Sequence, residues 1–132
     1  MPGSTYGLFA WTAQNHVRLF CRHEGLEREI CVIIVGHTGG VEKALVWQVA
    51  GETSQGPLRM PGWRCLTLSK VSDAEPCAGN WVSGARHDTR QTCVSEVDYD
   101  ANEASPYDPK QSLGDLRREP LEAAMHPHRP AG

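Results

Sequence analysis

Residues 30–35 read Ile-Cys-Val-Ile-Ile-Val, an unbroken apolar run with Arg28 and Glu29 before it and Gly36 after it. Most of these side chains are β-branched. Branching stiffens χ1 and suits a pleated surface, so a continuous run of this length predicts a strand buried on both faces. The rest of the chain must either cover that strand or lie outside the fold.

The neighbouring stretches supply short elements at hairpin spacing. Residues 6–11 (Tyr-Gly-Leu-Phe-Ala-Trp) are rich in aromatics and predict a first strand, with a polar turn at 13–16. Residues 17–22 predict a second strand, and Gly25 provides the turn into the third. Connections this short favour antiparallel neighbours, because a parallel crossover needs a dozen or more residues. Residues 41–50 satisfy two periods at once. Val41, Leu45, Val46 and Val49 fit one face of a helix, while Leu45, Trp47 and Val49 equally fit one face of a strand. Residues 63–71 alternate, with Leu66 and Leu68 on one side, and predict a further strand. The expected fold is a small β-rich α+β unit of three to five short strands, with 41–50 as helix or strand, followed by a disordered C-terminal tail. A low-order or partly unfolded chain is the alternative.

Composition shifts near residue 72. Residues 1–71 hold 25 large apolar side chains and residues 72–132 hold 10. The second half therefore buries too little to offset the ~1–2 kcal/mol per residue of backbone ordering. This divides the chain into an ordered unit at 1–71, a partly docked extension at 72–90 anchored by Trp81 and Val82, and a mostly disordered tail at 91–132. Short helices are expected at 112–119 and 121–126, separated by Pro120. A core of this size rarely supplies more than ~3–5 kcal/mol.

A net charge of −3 and a pI near 6.0 argue against a nucleic-acid binder, which shows a basic face. The N-terminal residues lack a signal-peptide pattern and no run is long enough to span a membrane, so an intracellular protein of cytoplasm or nucleus is expected. Five widely spaced cysteines, an odd number, favour reduced thiols, with Cys31 a small buried hydrophobe.

Gly36, His37, Thr38, Gly39 and Gly40 form a glycine-rich loop that could approach an anion, but neither the Walker spacing nor G-x-G-x-x-G is present. Val32-Ile33-Ile34-Val35-Gly36-His37-Thr38, followed by Gly39-Gly40-Val41 and Ala44-Leu45, resembles the zinc-binding segment of β-carbonic anhydrases. The resemblance implies His37 as a zinc ligand. The family's cysteine three residues after the histidine and its upstream Cys-x-Asp-x-Arg motif are both missing here. Cys21 and His23 form the nearest Cys/His pair, which antiparallel pairing could bring toward Cys31 and His37. No structural zinc knuckle accompanies them, and no metal or cofactor is expected.

No nucleophile stands in a recognised catalytic context. The four tryptophans are core candidates, with Trp63 and Trp81 also candidate interaction anchors. Ser105, before Pro106 in an acidic stretch, is a candidate modification site. The expected function is non-catalytic contact with a protein partner. The alternative is a degenerate ligand- or zinc-binding enzyme fragment centred on 32–45.

Overall fold

The computed structural model of the chain describes residues 4–84 and 91–101. It opens with a helix, α1 (Thr5–Asn15), where the aromatic content of 6–11 predicted a strand. Ser4 caps it, its Oγ accepting from Gly7 N at 2.9 Å, and the helix stops at His16 in the left-handed region. Leu8, Phe9, Thr12 and Ala13 are all buried. That i, i+1, i+4, i+5 set is a helical stripe that the reading up to Trp11 cut short.

Seven strands follow: β1 (Leu19–His23), β2 (Leu26–Thr38), β3 (Val41–Thr53), β4 (Gly56–Pro57), β5 (Gly62–Thr67), β6 (Val71–Pro76) and β7 (Glu96–Asp100). The protein is thus mostly antiparallel β with one helix, with more strands than the three to five expected. Residues 41–50 are strand, not helix. Gly39 and Gly40, both at positive φ (58° and 81°), form a two-residue turn that returns the chain directly onto β2. Pairing with β2 on one side and β5 on the other then outweighs the helix propensity of Glu42 to Leu45. The loop read as an anion cradle is this hairpin turn, with no helix N-terminus after it.

The sheet runs β4-β3-β2-β1-β6, with β5 on β3 and β7 on β2, all antiparallel. β5 and β6 lie on opposite edges yet are consecutive in the chain, joined only by a 3₁₀ turn at Leu68–Lys70. So short a link forces the sheet to curl into a half-barrel. Two bonds stitch the curl: Thr67 N donates to His23 Nε2 at 3.2 Å, and Glu24 N donates to Lys70 O at 3.1 Å.

Residues 30–35 are buried on both faces, as the run demands. The register of β2 against β3 shifts between Val32 and Ile34, so Ile33 is an extra residue. Ile30, Val32 and Val35 consequently face inward against Leu8, Phe9, Ala10 and Ala13 of α1, while Cys31, Ile33 and Ile34 face outward. The outer face is covered in turn. Val82 N donates to Cys31 Sγ at 3.4 Å, and Val94 and Val97 pack on Ile33, Ile34 and Leu45.

A disulfide, Cys65–Cys93, clamps this cover to β5. It corrects the expectation of reduced thiols, because cysteines 28 residues apart carry no pairing signal until the sheet brings them together. Residues 91–101, grouped by composition with a disordered tail, instead contribute β7 and two core valines. Residues 102–132, with the helices expected at 112–119 and 121–126 and with Ser105, lie outside the described residues. Among the described residues no helix is long and apolar enough to cross a membrane.

Candidate functional site

His37 stands at the far end of β2, beside the Gly39-Gly40 turn. Its register partner on β7 is Glu96, and Gly36 makes that approach possible. A Cβ on Gly36 would collide with the Glu96 carbonyl and press on Val94 Cγ1. Two residues beyond Glu96, Asp98 is buried and its Oδ2 lies 3.1 Å from His37 Nδ1. The Tyr6 hydroxyl donates to the same carboxylate oxygen, and the Tyr6 ring stacks on the imidazole with centroids 5.6 Å apart. Asp98 thereby fixes the ring and turns Nε2 outward, the arrangement found behind metal-ligating or proton-transferring histidines. The nearby hydroxyl of Ser95 is committed elsewhere, donating to the His37 carbonyl at 3.3 Å.

Cys21 and His23 do not join His37. They face inward at the opposite end of β2, across from Arg28 and Leu26, while Cys31 points to the outer face. Burial pushes the Cys21 thiol up to about 12, against the opposing effect of the Arg28 charge. A thiol that resists ionisation to this degree is a poor nucleophile and a poor ligand. His23 Nε2 is occupied by Thr67 N–H, so the neutral ring carries its proton on Nδ1. Burial, and after it the Arg28 charge, lowers the His23 pKa and favours that neutral form. Among the described residues no group of three or more His, Cys, Asp or Glu could hold a metal ion.

The same inner face holds a group that the sequence reading passed over. Arg28 is only 7% exposed. Its Nη1 donates to Gln48 Oε1 at 2.7 Å, and Gln48, fully buried, is itself locked by Nε2 donating to the carbonyls of Ala50 and Glu52. Arg28 Nε is buried without a partner. On β5, Arg64 occupies the register position opposite Val46, so it shares the inner face with Gln48 and Arg28. Its Nη1 donates to the Trp63 carbonyl. Neither arginine makes an ion pair among the described residues. Burial and then the neighbouring Arg64 charge lower the Arg28 pKa. The sequence signal was present but faint: Arg28 and Arg64 each stand at an inward parity position of a strand, where a charge needs a reason.

Three of the four tryptophans, Trp47, Trp63 and Trp81, pack on the outer face, while Trp11 belongs to α1. Trp47 and Trp63 meet edge to face at 5.0 Å, and the backbone at Gly84 runs against both rings. Trp81 stacks on His16 at 4.0 Å, and its indole Nε1 is buried with no partner. Both Trp63 and Trp81 are half-buried, packed on the outer core rather than standing free. The exposed large hydrophobics among the described residues are Val41, Met60 and Val82, of which Met60 lies three residues before Trp63 and Val82 directly follows Trp81 in the chain.

Comparison with protein-family models, with curated proteins and with solved structures found no match.

Proposed function

We propose that this chain is a non-catalytic binding protein that contacts a protein partner at the tryptophan edge of its outer face. The observation that carries this reading is the exposure of Met60 (73%), three residues before the half-buried Trp63 in the chain, and of Val82 (42%), directly after the half-buried Trp81. Aromatic side chains seated in a packed surface and rimmed by exposed apolar groups are the common make-up of interface hot spots. The commitment of Ser95 Oγ to a backbone carbonyl, rather than to the His37 ring, supports the non-catalytic part.

A photo-crosslinking residue at position 60 or 82 should capture one discrete partner in extracts of cells that express the protein. A crosslinker at exposed Gln55 should capture none, and Trp63→Ala should abolish capture at both sites. The same bands from position 55 would refute the reading.

One observation favours a second reading, that of a degenerate ligand- or zinc-binding fragment. The Asp98–His37 pair orients Nε2 as a metal site would. On that reading, zinc raises the melting temperature of the wild type and leaves His37→Ala unmoved, and equal responses of the two proteins would dismiss it.

A further inference from the structure

The inner face of the half-barrel carries an electrostatic imbalance that no described residue resolves. A guanidinium taken out of water is held in folded proteins by a carboxylate or an equivalent acceptor, because desolvation costs several kcal/mol otherwise. Arg28 has one neutral acceptor, Gln48 Oε1, and that bond uses only Nη1. The Nε–Nη2 edge, which meets a two-oxygen acceptor side-on, carries no hydrogen bond. Gln48 cannot turn to help, since both hydrogens of its amide face the Ala50 and Glu52 carbonyls. Arg64 adds a second positive charge from the adjoining strand. The other neighbours on this face do not neutralise the pair. Cys21 stays a thiol, and His23 stays neutral with Nδ1–H as a further buried donor, 3.6 Å from the half-exposed Glu24. Glu24 is the carboxylate that acts on Arg28, but it does so from the exposed rim without a hydrogen bond and is shared with Lys70, so buried donors outnumber acceptors here.

We infer that Arg28 and Arg64 bind an oxyanion, the carboxylate or phosphate group of a small ligand, inside the half-barrel. The Nε–Nη2 edge of Arg28 grips two of its oxygens, and Arg64 supplies the second charge. Planar, bidentate recognition of this kind is what arginine does and lysine does not. This site lies on the opposite face of the sheet from the tryptophan edge and stands independently of the protein contact proposed there.

The test uses the full chain with sodium acetate and sodium phosphate as probes, against sodium chloride at matched ionic strength. The wild type should show a saturable rise in melting temperature with acetate or phosphate beyond that in chloride. Whichever probe acts at lower concentration identifies the ligand class. Arg28→Met should lose the response, and without added anion it should melt at or above the wild type, since the substitution removes an uncompensated buried charge. Arg59→Met, on the exposed surface, should respond as the wild type does.

If Arg28→Met fails to fold, Arg28→Lys replaces it. Lysine keeps the charge but lacks the side-on edge, so at least tenfold more anion should be needed for half the response. The Arg28 Nε–H resonance gives a readout that needs no variant, and it should move with the same midpoint as the melting shift. Responses no larger than in chloride, a response retained by Arg28→Met, an Arg28→Lys half-response at the wild-type anion concentration, or an Arg28 Nε–H signal that stays put would each overturn the inference.

Discussion

At the scale of single residues, the inner end of the half-barrel is where charge and burial conflict, and His23 makes the conflict measurable. Its pKa is lowered by burial and by Arg28, so the unfolded chain takes up a proton at higher pH than the folded one. Above the ordinary histidine value of about 6.5 both states are neutral and nothing is gained or lost. As pH falls below that value the unfolded state binds the proton first, so stability drops until the folded pKa is passed. His23→Gln keeps an acceptor for Thr67 N–H and removes the titration. Denaturant unfolding at a series of pH values should show a fall below pH about 6.5 in the wild type, and a flatter profile in His23→Gln. Parallel profiles would mean that another group titrates there. From sequence, His23 read as half of a weak metal pair, because its proximity to Arg28 depends on the register of β1 against β2. That register puts Cys21 opposite Arg28, and no spacing along the chain encodes it.

At the scale of elements, legibility followed whether one period or two fitted. The 30–35 run could only be a doubly buried strand, and it is one. Residues 41–50 fitted helix and strand alike, and the decision came from outside the segment, from the Gly39-Gly40 turn and the two flanking strands. β7 was invisible for a different reason. The scarcity of large apolar side chains after residue 72 made the stretch look unable to fold, yet Val97 turns into the outer core while Asp98 serves Tyr6 and His37. Its docking depends on Gly36 having no side chain. Gly36→Ala would drive a methyl into the Glu96 carbonyl and toward Val94 Cγ1. Backbone cannot yield cheaply, so the variant should lose roughly 1–3 kcal/mol, as overpacked cores do. Amide exchange localises the effect: residues 96–100 should lose protection while the β1–β2 pairing keeps its own. Equal protection in both proteins would show that β7 accommodates the methyl.

At the scale of the whole molecule, one covalent link holds the outer cover to the half-barrel. The described residues between Trp81 and Asp100 lay few side chains on the sheet, chiefly Trp81, Val94 and Val97, so packing alone supplies a modest share of what orders them. Cys65–Cys93 closes a loop of 28 residues, and the chain-entropy relation sets the resulting stabilisation at about 3–4 kcal/mol. That is a large fraction of what a core this small provides. Disulfides persist in oxidising compartments and are rare in the cytosol, which sets this bond against the cytoplasmic or nuclear location that the sequence led us to expect. Without reductant, the unfolded protein should expose three alkylatable thiols, Cys21, Cys31 and Cys77, and with reductant five. Replacing Cys65 and Cys93 together with serine should lower the unfolding free energy by the same few kcal/mol and release protection at 91–101 ahead of the long β2–β3 hairpin. The inner core, sealed by α1 and by the β5–β6 link, should remain. A protein that unfolds at one denaturant concentration with and without reductant would show that packing of Val94 and Val97 already holds the cover. The disulfide would then be incidental to the fold.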